Sequence, residues 1–424
     1  MGAILGCMAY DVRPGAVDRS PGPSGHRPAA DGPAGRPAPG RGGRAALTRP
    51  LRTRPVRTRP ARRRFVELPY RLYRGDPAFV PPLRRDQRAL IDRRRNPFLA
   101  YGEVELFTVA SGRRVLGRIA AVHNPRHNEY HRAADGFFGL FECVDDPGAA
   151  GALFDAAADW LRGRGLTAML GPVAFTMNDE CGLLVDGFGT PPRVMMPYNH
   201  AYYPALFERC GLRKAKDLWT WERESVPFPA KVVRVAERVQ RHEGLTVRPV
   251  DMRDLDADLA RVKRVFDAAW RDNWGFVPMT DAEVAVMARR LRRILDPGLV
   301  QLVEAGGEPV AVGLVLPDVN QALPAARGRL TVCGLPVGLV RLALAARRID
   351  RTRGALFGVV PEYRRRGVEA LLFTRLWDAI AANGYTGGTM EMGWTLEDNR
   401  AIAASMRMVG GWHAKTYRIY RRDL

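Results

Sequence analysis

Two parts of the chain repeat the same order of apolar and polar positions. Short apolar runs joined by a glycine turn predict a pair of strands, and a longer periodic stretch ending at glycine predicts a helix. The matching segments begin at Val104 and Val300 for the strands, Leu153 and Leu372 for the helix, and Gly211 and Gly410 for a last strand rich in aromatic residues. Because all three pairs keep the same order, the pattern predicts an internal duplication.

The duplication predicts an α/β fold made of two tandem lobes. Each lobe should contain a mixed, mostly antiparallel sheet flanked by helices. The expected divisions are a disordered Arg/Pro-rich tail over residues 1–63, a first lobe over 64–225, a linker over 226–244 and a second lobe over 245–424. The first lobe also contains an extra segment, residues 174–199, which we call the first insertion. Its polar residues are expected either to line an acceptor pocket that faces the second lobe or to form a self-bonded turn.

The second lobe contains an apolar strand, a basic turn and the start of a helix within residues 356–372. Pro361 ends the strand because proline cannot donate to a sheet ladder. Gly367 lets the backbone approach a ligand where a helix begins with free N–H groups. These N–H groups, the helix dipole and the arginines Arg364, Arg365 and Arg366 favour a phosphate-rich ligand.

The matching stretch of the first lobe is acidic. It contains Glu142, Asp145 and Asp146, and Asp146 followed by Pro147 is typical of an ordinary helix start. Three carboxylates would repel a pyrophosphate. The sequence therefore predicts that only the second lobe binds the phosphate-rich ligand.

The strand, turn and helix of the second lobe resemble the acyl-CoA-binding motif of the GNAT acetyltransferase superfamily, Val-x-Pro-x-x-Arg-x-x-Gly-x-Gly/Ala. Val359, Pro361, Arg364 and Gly367 match at the right spacing, whereas Glu369 stands where the family has glycine or alanine. The resemblance covers residues 245–424 and implies a tandem GNAT protein that binds acetyl-CoA or another acyl-CoA as co-substrate.

The resemblance extends to the last helix of the second lobe. Asn399 and Gly410 fit the family pattern, but Met406 occupies the position of a tyrosine. In the family, the main chain of the motif strand pairs with the pantetheine arm; a buried central strand is the ordinary alternative, and both can hold together. The residues that the resemblance assigns to acyl-CoA are Phe357, Gly358, Val359, Arg364, Arg365, Arg366, Gly367, Val368, Glu369 and Asn399.

Amine acylation by a thioester needs a proton acceptor for the amine, a donor for the oxyanion and a proton for the thiolate. The resemblance makes the backbone N–H of Val359 the oxyanion donor. Glu391, between two methionines on a predicted strand, is the candidate base, or else an exposed strand carboxylate. The proton donor stays open, because Met406 cannot act as one; it is water or a tyrosine such as Tyr198, Tyr385 or Tyr417.

These residues favour an N-acyltransferase that moves an acyl group from acyl-CoA to an amine of a small molecule or peptide by direct attack. A non-catalytic acyl-CoA sensor is a second hypothesis, motivated by Glu369 and Met406. A transferase that uses aminoacyl-tRNA is a third, since some such enzymes pair two GNAT-like lobes. The acceptor, the acyl group and the oligomeric state stay open.

Composition narrows the choice of partners and location. The net charge is +21, and residues 1–64 hold 14 Arg against three Asp, so much of the excess lies in the tail. Arginine far outnumbers lysine along the whole chain, which indicates a compositional bias, and we do not expect specific nucleic-acid binding. No apolar run is long enough for a transmembrane helix, so we expect no membrane partner. Five scattered cysteines without C-x-x-C pairs favour a reducing cytoplasm.

Three histidines could suggest a metal site. His123, His127 and His131 recur every fourth residue, which on one helix would align them as ligands. Asn124 followed by Pro125 disfavours a helix there. We therefore predict no metal.

Overall fold

The computed structural model describes residues 50–292 and 294–424. The first half of the chain forms, in order, β1 (Leu51–Pro55), α1 (Arg59–Leu72), α2 (Arg84–Leu90), β2 (Glu103–Ser111), β3 (Arg114–His123), α3 (Pro125–His131), β4 (Asp135–Cys143), α4 (Pro147–Arg162), β5 (Ala168–Gly171), β6 (Leu183–Asp186), α5 (Tyr203–Arg209) and β7 (Arg213–Glu224).

The second half begins after a connecting helix. The elements are α6 (Ala230–His242), β8 (Leu245–Pro249), α7 (Leu255–Trp270), α8 (Asp281–Leu291), β9 (Val300–Ala305), β10 (Glu308–Pro317), α9 (Leu323–Ala326), α10 (Val337–Ala346), β11 (Thr352–Val359), α11 (Val368–Ala382), β12 (Thr389–Leu396), α12 (Arg400–Met408) and β13 (Trp412–Asp423). We call β1 to β7 the first half and β8 to β13 the second half.

The predicted repeat of elements is confirmed. Both halves run strand, two helices, three strands, helix, strand, helix and strand once their insertions, and α3 between β3 and β4, are set aside. The first half is interrupted by the first insertion, which carries β6. The second half is interrupted by residues 318–351, which carry α9 and α10 and which we call the second insertion.

The expected end of the tail at residue 63 is wrong. Residues 1–49, where most of the predicted disorder falls, lie outside the described residues. Leu51–Pro55 forms β1, which pairs with β2, and Thr58 caps α1 by accepting a hydrogen bond from the N–H of Ala61 at 3.3 Å. Val56 between the two elements is buried. The described fold therefore starts before Phe65, because Leu51–Pro55 pairs with β2 and Val56 is buried.

All the described strands form one continuous sheet, which is mostly antiparallel. Its order is β1-β2-β3-β4-β5-β13-β7-β12-β11-β10-β9-β8, with β6 on β13. The last strand of each half has crossed into the other half: β13 pairs with β5, and β7 pairs with β12. The two crossed strands also pair with each other in the middle of the sheet, where Trp221 and Tyr417 are fully buried. Because the last strands cross between the halves, the lobe boundaries 64–225 and 245–424 divide the sequence and stay a prediction.

The predicted linker, residues 226–244, contains α6, which packs along α11. Val232, Ala236 and Val239 of α6 belong to the same apolar core as Val368 and Leu371 of α11. This contact explains why the linker has apolar positions at helical spacing.

Parallel strands diverge at one place in each half. In the second half, β11 and β12 pair only at Thr352↔Met390 and Arg353↔Glu391, after which β12 continues beside β7. In the first half, β4 and β5 pair from Asp135↔Ala168 to Phe137↔Leu170. There the following chain fills the gap, because the N–H of Val173 donates to the carbonyl oxygen of Phe138 at 2.8 Å.

Candidate functional site

The predicted strand, turn and helix of the second half are present. β11 ends at Val359, Pro361–Tyr363 forms one turn of 3₁₀ helix, and α11 begins at Val368. Arg365 and Gly367 both have positive φ, at 62° and 86°, so the chain turns sharply just before the helix. Such a turn directs successive backbone N–H groups outward, as in many anion sites.

The three arginines of this turn have different roles in the structure. Arg364 donates to the carbonyl oxygens of Val359 and Ala269, at 3.3 and 3.0 Å, and so braces the turn against the end of α7. Arg365 and Arg366 are exposed, and Arg366 pairs with Glu243 at 3.1 Å. Only the last two side chains lie where they could meet a phosphate group from solvent.

Gly367 is required for a reason that the sequence did not reveal. A Cβ atom there would lie 2.8 Å from Val235 Cγ1 and 2.9 Å from Val239 Cγ2, both on α6. The glycine therefore lets α6 pack against the start of α11. The role of Gly367 in close approach to a phosphate stays a prediction, and a bulky substitution would test packing instead.

The other residues assigned to acyl-CoA divide between core and surface. Phe357, Val359 and Val368 are buried, and a Cβ atom on Gly358 would lie 2.3 Å from the ring of Trp270. The side chains of this strand thus build the core, which leaves only its main chain for a ligand. The remaining two are Glu369, partly buried on the first turn of α11, and Asn399, whose side chain accepts from the N–H of Ile402 at 3.2 Å and caps α12.

The last parallel pair before β11 and β12 diverge, which we call the apex, carries a buried ion pair. Arg353 Nε lies 2.7 Å from Glu391 Oε1, and both side chains are completely buried. The alternative that Glu391 is an exposed carboxylate is therefore wrong. Burial raises the pKa of Glu391, and its role as base stays a prediction.

Several polar atoms at the apex have no hydrogen-bond partner among the described residues. They are Glu391 Oε2, Arg353 Nη1, Thr352 Oγ1 and the hydroxyl of Tyr417. Burial, together with the charge of Glu391, raises the pKa of Tyr417. Each unsatisfied buried group costs about 1–3 kcal/mol, and such groups gather where a protein performs a function.

A cavity of about 790 Å³ lies between the two halves. Its walls come from α2, the end of β4, and both insertions. The lining is largely apolar and includes Phe79, Leu90, Leu140, Leu330, Leu339 and Ile349. Tyr198 and Tyr385, two of the predicted proton donors, also line it. Its volume falls in the range of ligand pockets, roughly 300–1,000 Å³.

Glu142 forms a polar cluster in the wall of this cavity. The hydroxyls of Tyr73 and Tyr203 both donate to Glu142 Oε2 at 2.8 Å, and Arg118 lies 3.8 Å from Oε1. Burial raises the pKa of Glu142. In the sequence, Glu142 was noticed only as one of three acidic residues opposed to phosphate. No local pattern reveals the cluster, since its members come from α1, β3, β4 and α5.

The cavity and the apex share a wall formed by the first insertion. Met196 lines the cavity, and its Sδ lies 3.1 Å from Arg353 Nη2. Gly182 also lines it, and a Cβ atom there would lie 2.8 Å from Cβ of Tyr417. Glu180 stands in the same wall, where burial raises its pKa and the charge of Arg353 lowers it.

The self-bonded turn expected of the first insertion is present, and the insertion also lines a cavity; that this cavity receives an acceptor stays a prediction. The cavity faces the second half, and Asp179 accepts from Oγ1 of Thr176 at 3.0 Å within the turn. Arg193 then fastens the insertion to β7 through Glu222 at 3.0 Å and to the second half through Asp318 at 3.4 Å.

The expectation that Asn124 and Pro125 prevent one helix from running through all three histidines is confirmed, because Asn124 is extended, although a helix begins directly after it. Asn124 caps α3, which begins at Pro125, because proline suits the first turn of a helix. His123 ends β3, so the three histidines do not align on one helix. Across residues 50–292 and 294–424, no group of three potential metal ligands is found. Within the same residues, no helix is long and apolar enough to cross a membrane.

Solved structures share this arrangement of elements. A tandem GNAT protein from the clavulanic acid biosynthesis pathway matches with a TM-score of 0.51 over 88% of this chain and 98% of its own, at 12% identity. A glucosamine N-acetyltransferase region of a fungal β-N-acetylglucosaminidase matches with a TM-score of 0.51 over 88% of this chain and 38% of its own, at 13% identity. At such identities the likeness defines the fold, which is that of a tandem GNAT protein.

Two known sequences are similar to this chain along nearly their whole length. Bacterial ceramide synthase of Caulobacter vibrioides is 35% identical over 371 residues, which cover 85% of this chain and 94% of that protein. Protein YghO of Escherichia coli is 30% identical over 368 residues, covering 85% and 93%. No family model matches the chain. The chain therefore belongs, within the GNAT superfamily, to the family of these two proteins.

Proposed function

We propose that the protein is an N-acyltransferase that joins a fatty acyl group, carried by acyl-CoA, to the amine of a long-chain amino alcohol. A ceramide is the amide of such an amino alcohol, so the similarity to bacterial ceramide synthase supports both the bond formed and the class of acceptor. The observation that carries the proposal is the apolar cavity of about 790 Å³ whose wall touches the apex through Met196 and Arg353.

The donor is assigned to the second half. Arg365 and Arg366, exposed at the start of α11, would meet the phosphates of CoA. The diverging strands β11 and β12 would receive the pantetheine arm along the main chain of Phe357, Gly358 and Val359. The thioester would then reach the apex. Val359 lies at the other end of β11, about 20 Å from Arg353 at roughly 3.3 Å per residue, so its N–H and Glu391 would not act on the same thioester, and we assign the chemistry to the apex.

The acceptor is assigned to the cavity. The apolar tail of the acceptor would lie among the side chains of α2 and the two insertions, and the amine of the acceptor would lie at the wall that the cavity shares with the apex. Glu391 is the proposed base, because Oε2 has no partner in the described residues and burial raises its pKa, which makes the carboxylate a stronger base. Arg353 positions the carboxylate through Oε1.

The thiolate leaving group needs a proton that Met406 cannot supply. Tyr417 is the proposed donor, since its hydroxyl is buried without a partner and interacts electrostatically with Glu391 and Arg353. The reaction then balances: the amine nitrogen bonds to the acyl carbon, the carbon–sulfur bond breaks, Glu391 takes the amine proton and the thiolate receives one from Tyr417.

The test is to incubate the full chain with palmitoyl-CoA and sphinganine and to measure released CoA together with the amide by mass spectrometry. We expect equal amounts of the two products. A long-chain diol without an amine is the control acceptor and should release no CoA above background.

Three variants locate the chemistry. Glu391→Gln and Tyr417→Phe should abolish most turnover, whereas Glu180→Gln should retain it. Loss in Glu180→Gln with activity in Glu391→Gln would move the base into the cavity wall. Acyl-CoA binding without turnover would support the sensor, and transfer only from aminoacyl-tRNA would support the third hypothesis.

A further inference from the structure

An apolar surface is exposed beside the cavity, on the second insertion. Leu335 is 63% exposed, Leu344 57%, Val340 53%, Leu339 50% and Val332 44%. Ordinary surface helices turn polar residues to solvent, yet Arg341 is the only charged residue in α10. We call these five side chains, together with the arginines named below, the docking surface.

The docking surface is built on an ordered scaffold. Val332 and Leu335 exchange two backbone hydrogen bonds, at 2.9 and 3.0 Å, and so close a tight turn whose tip is Cys333 and Gly334. The N–H of Leu339 donates to the carbonyl oxygen of Leu330 at 2.9 Å, and a Cβ atom on Gly338 would lie 1.8 Å from the carbonyl oxygen of Arg329. These contacts hold α10 with its apolar side chains outward.

Five exposed arginines belong to the same segment as the apolar side chains. Residues 327–349 contain Arg327, Arg329, Arg341, Arg347 and Arg348 and no acidic residue, and all five arginines are exposed. None of them forms an ion pair within the described part of the chain; the next acidic residue, Asp350, lies 3.9 Å from Arg351. A segment that exposes both apolar side chains and unpaired arginines suits a partner that is both apolar and anionic.

The cavity reaches this surface. Leu339 is half exposed and also lines the cavity, as do Leu342, Ala346 and Ile349 of the same insertion. Arg85 of α2 and Arg290 of α8 also line the cavity. One face of α10 thus belongs to the cavity and the other to the outside.

We propose that this surface binds an anionic lipid membrane, with the apolar side chains of α10 and its preceding turn seated among the lipids. Two other occupants are disfavoured by charge. A second copy related by twofold symmetry would bring the same arginines face to face, and residues 1–49 carry seven Arg against three Asp. The expectation of no membrane partner rested on the lack of a helix that could span a membrane. A helix that binds at the membrane surface does not have to span it, so the proposal departs from that expectation. That the bound lipid supplies the acceptor through the cavity rests on the proposed function.

The test is co-sedimentation of the full chain with vesicles of phosphatidylcholine alone or mixed with phosphatidylglycerol. We expect binding to the mixed vesicles that weakens as salt is raised, because arginine–lipid attraction is screened. Leu335→Ser with Val340→Ser and Leu344→Ser should weaken it at least about tenfold. These three side chains do not line the cavity, so the variant should keep its thermal stability.

Matched variants separate the contributions. Val226→Ser with Met408→Ser removes side chains that are 50% and 60% exposed elsewhere, and should leave vesicle binding unchanged. Arg341→Ala with Arg347→Ala and Arg348→Ala should abolish the preference for anionic vesicles.

Vesicle binding is measured without substrate, so its outcome does not depend on amide formation. Equal binding by the apolar triple variant, or no binding by the unaltered chain, would overturn the proposal. Sedimentation as a dimer that the triple variant converts to a monomer, without vesicle binding, would assign the surface to a second copy.

Discussion

In each half a helix begins after the first of the two diverging strands, but the residues at the two helix starts carry opposite charge. α4 begins with Asp146, whose carboxylate accepts from the N–H of Ala149 at 2.7 Å, whereas α11 begins after Arg365 and Arg366. In the first half the carboxylate of Asp146 thus accepts from a free backbone N–H at the helix start. In the second half, Gly367 precedes the helix without a side-chain cap. The electrostatics favour an anion only in the second half.

The two halves also differ in whether the following chain occupies the gap between the diverging strands. In the first half, Val173 continues beside β4 and occupies the gap. In the second half, the N–H of Glu397 donates instead to Asp217 of β7 at 3.1 Å, so the chain after β12 turns away from β11. The two copies of the duplicated fold therefore differ at the same place: only the second half keeps a gap between its diverging strands, which under the proposed function would receive the donor.

The largest difference between the halves should appear at the last parallel pair. The second half has the ion pair Arg353–Glu391 there, and the first half has Phe137 opposite Leu170. Arg353→Ala should lower the free energy of unfolding by about 3–5 kcal/mol, because it leaves a buried carboxylate unpaired. The measurement is urea-induced unfolding followed by tryptophan fluorescence.

A double variant separates stability from chemistry at this pair. Arg353→Met with Glu391→Leu should recover most of the stability, since apolar pairs often replace buried ion pairs without loss, but should not transfer acyl groups. Full activity in the double variant would show that the pair is structural in the second half just as Phe137 and Leu170 are in the first.

The charge difference at the helix starts gives the second prediction. Reversing Arg365 and Arg366 to glutamate should weaken CoA binding between about tenfold and a thousandfold, because each contact at 4 Å in water is worth about 1 kcal/mol and changes sign. Calorimetry measures the affinity. Asp145→Asn with Asp146→Ser keeps a helix cap in the first half and should leave CoA affinity unaltered. Two CoA sites per chain would break the comparison.

The edge of the first half supplies a third prediction. A chain that starts at residue 57 lacks β1 and Val56, whereas one that starts at residue 50 keeps both. We expect the shorter chain to be less stable by about 2 kcal/mol, the value of burying one aliphatic side chain. Thermal unfolding compares the two. Equal stability would show that β1 adds nothing to the sheet.

Sequence reasoning succeeded where the signal is local and failed where it depends on partners far along the chain. The strand, turn and helix around Gly367 follow from proline, glycine and apolar spacing within a few residues. The crossing of β7 and β13 could not be predicted, since a strand's pattern records that it is buried and not which strand it pairs with. For the same reason the packing of α6 on Gly367 and the tyrosines around Glu142 became visible only in three dimensions.

Glu369 should produce the smallest effect, although it is the residue of the motif that departs furthest from the family. If its carboxylate faced the phosphates of CoA, two like charges about 4 Å apart in an effective dielectric near 20 would repel by roughly 4 kcal/mol. Glu369 instead lies partly buried on the first turn of α11, where side chains lean along the helix surface and a negative charge favours the helix dipole. Glu369→Ala should therefore change CoA affinity by less than about tenfold, equivalent to about 1.4 kcal/mol, in the same calorimetric titration.

Glu369→Gln is the matched control for this prediction, since it removes the charge and keeps the shape of the side chain. A much larger gain in both variants would show that the second half, like the first, carries an acidic helix start opposed to phosphate, and would favour the sensor over the enzyme.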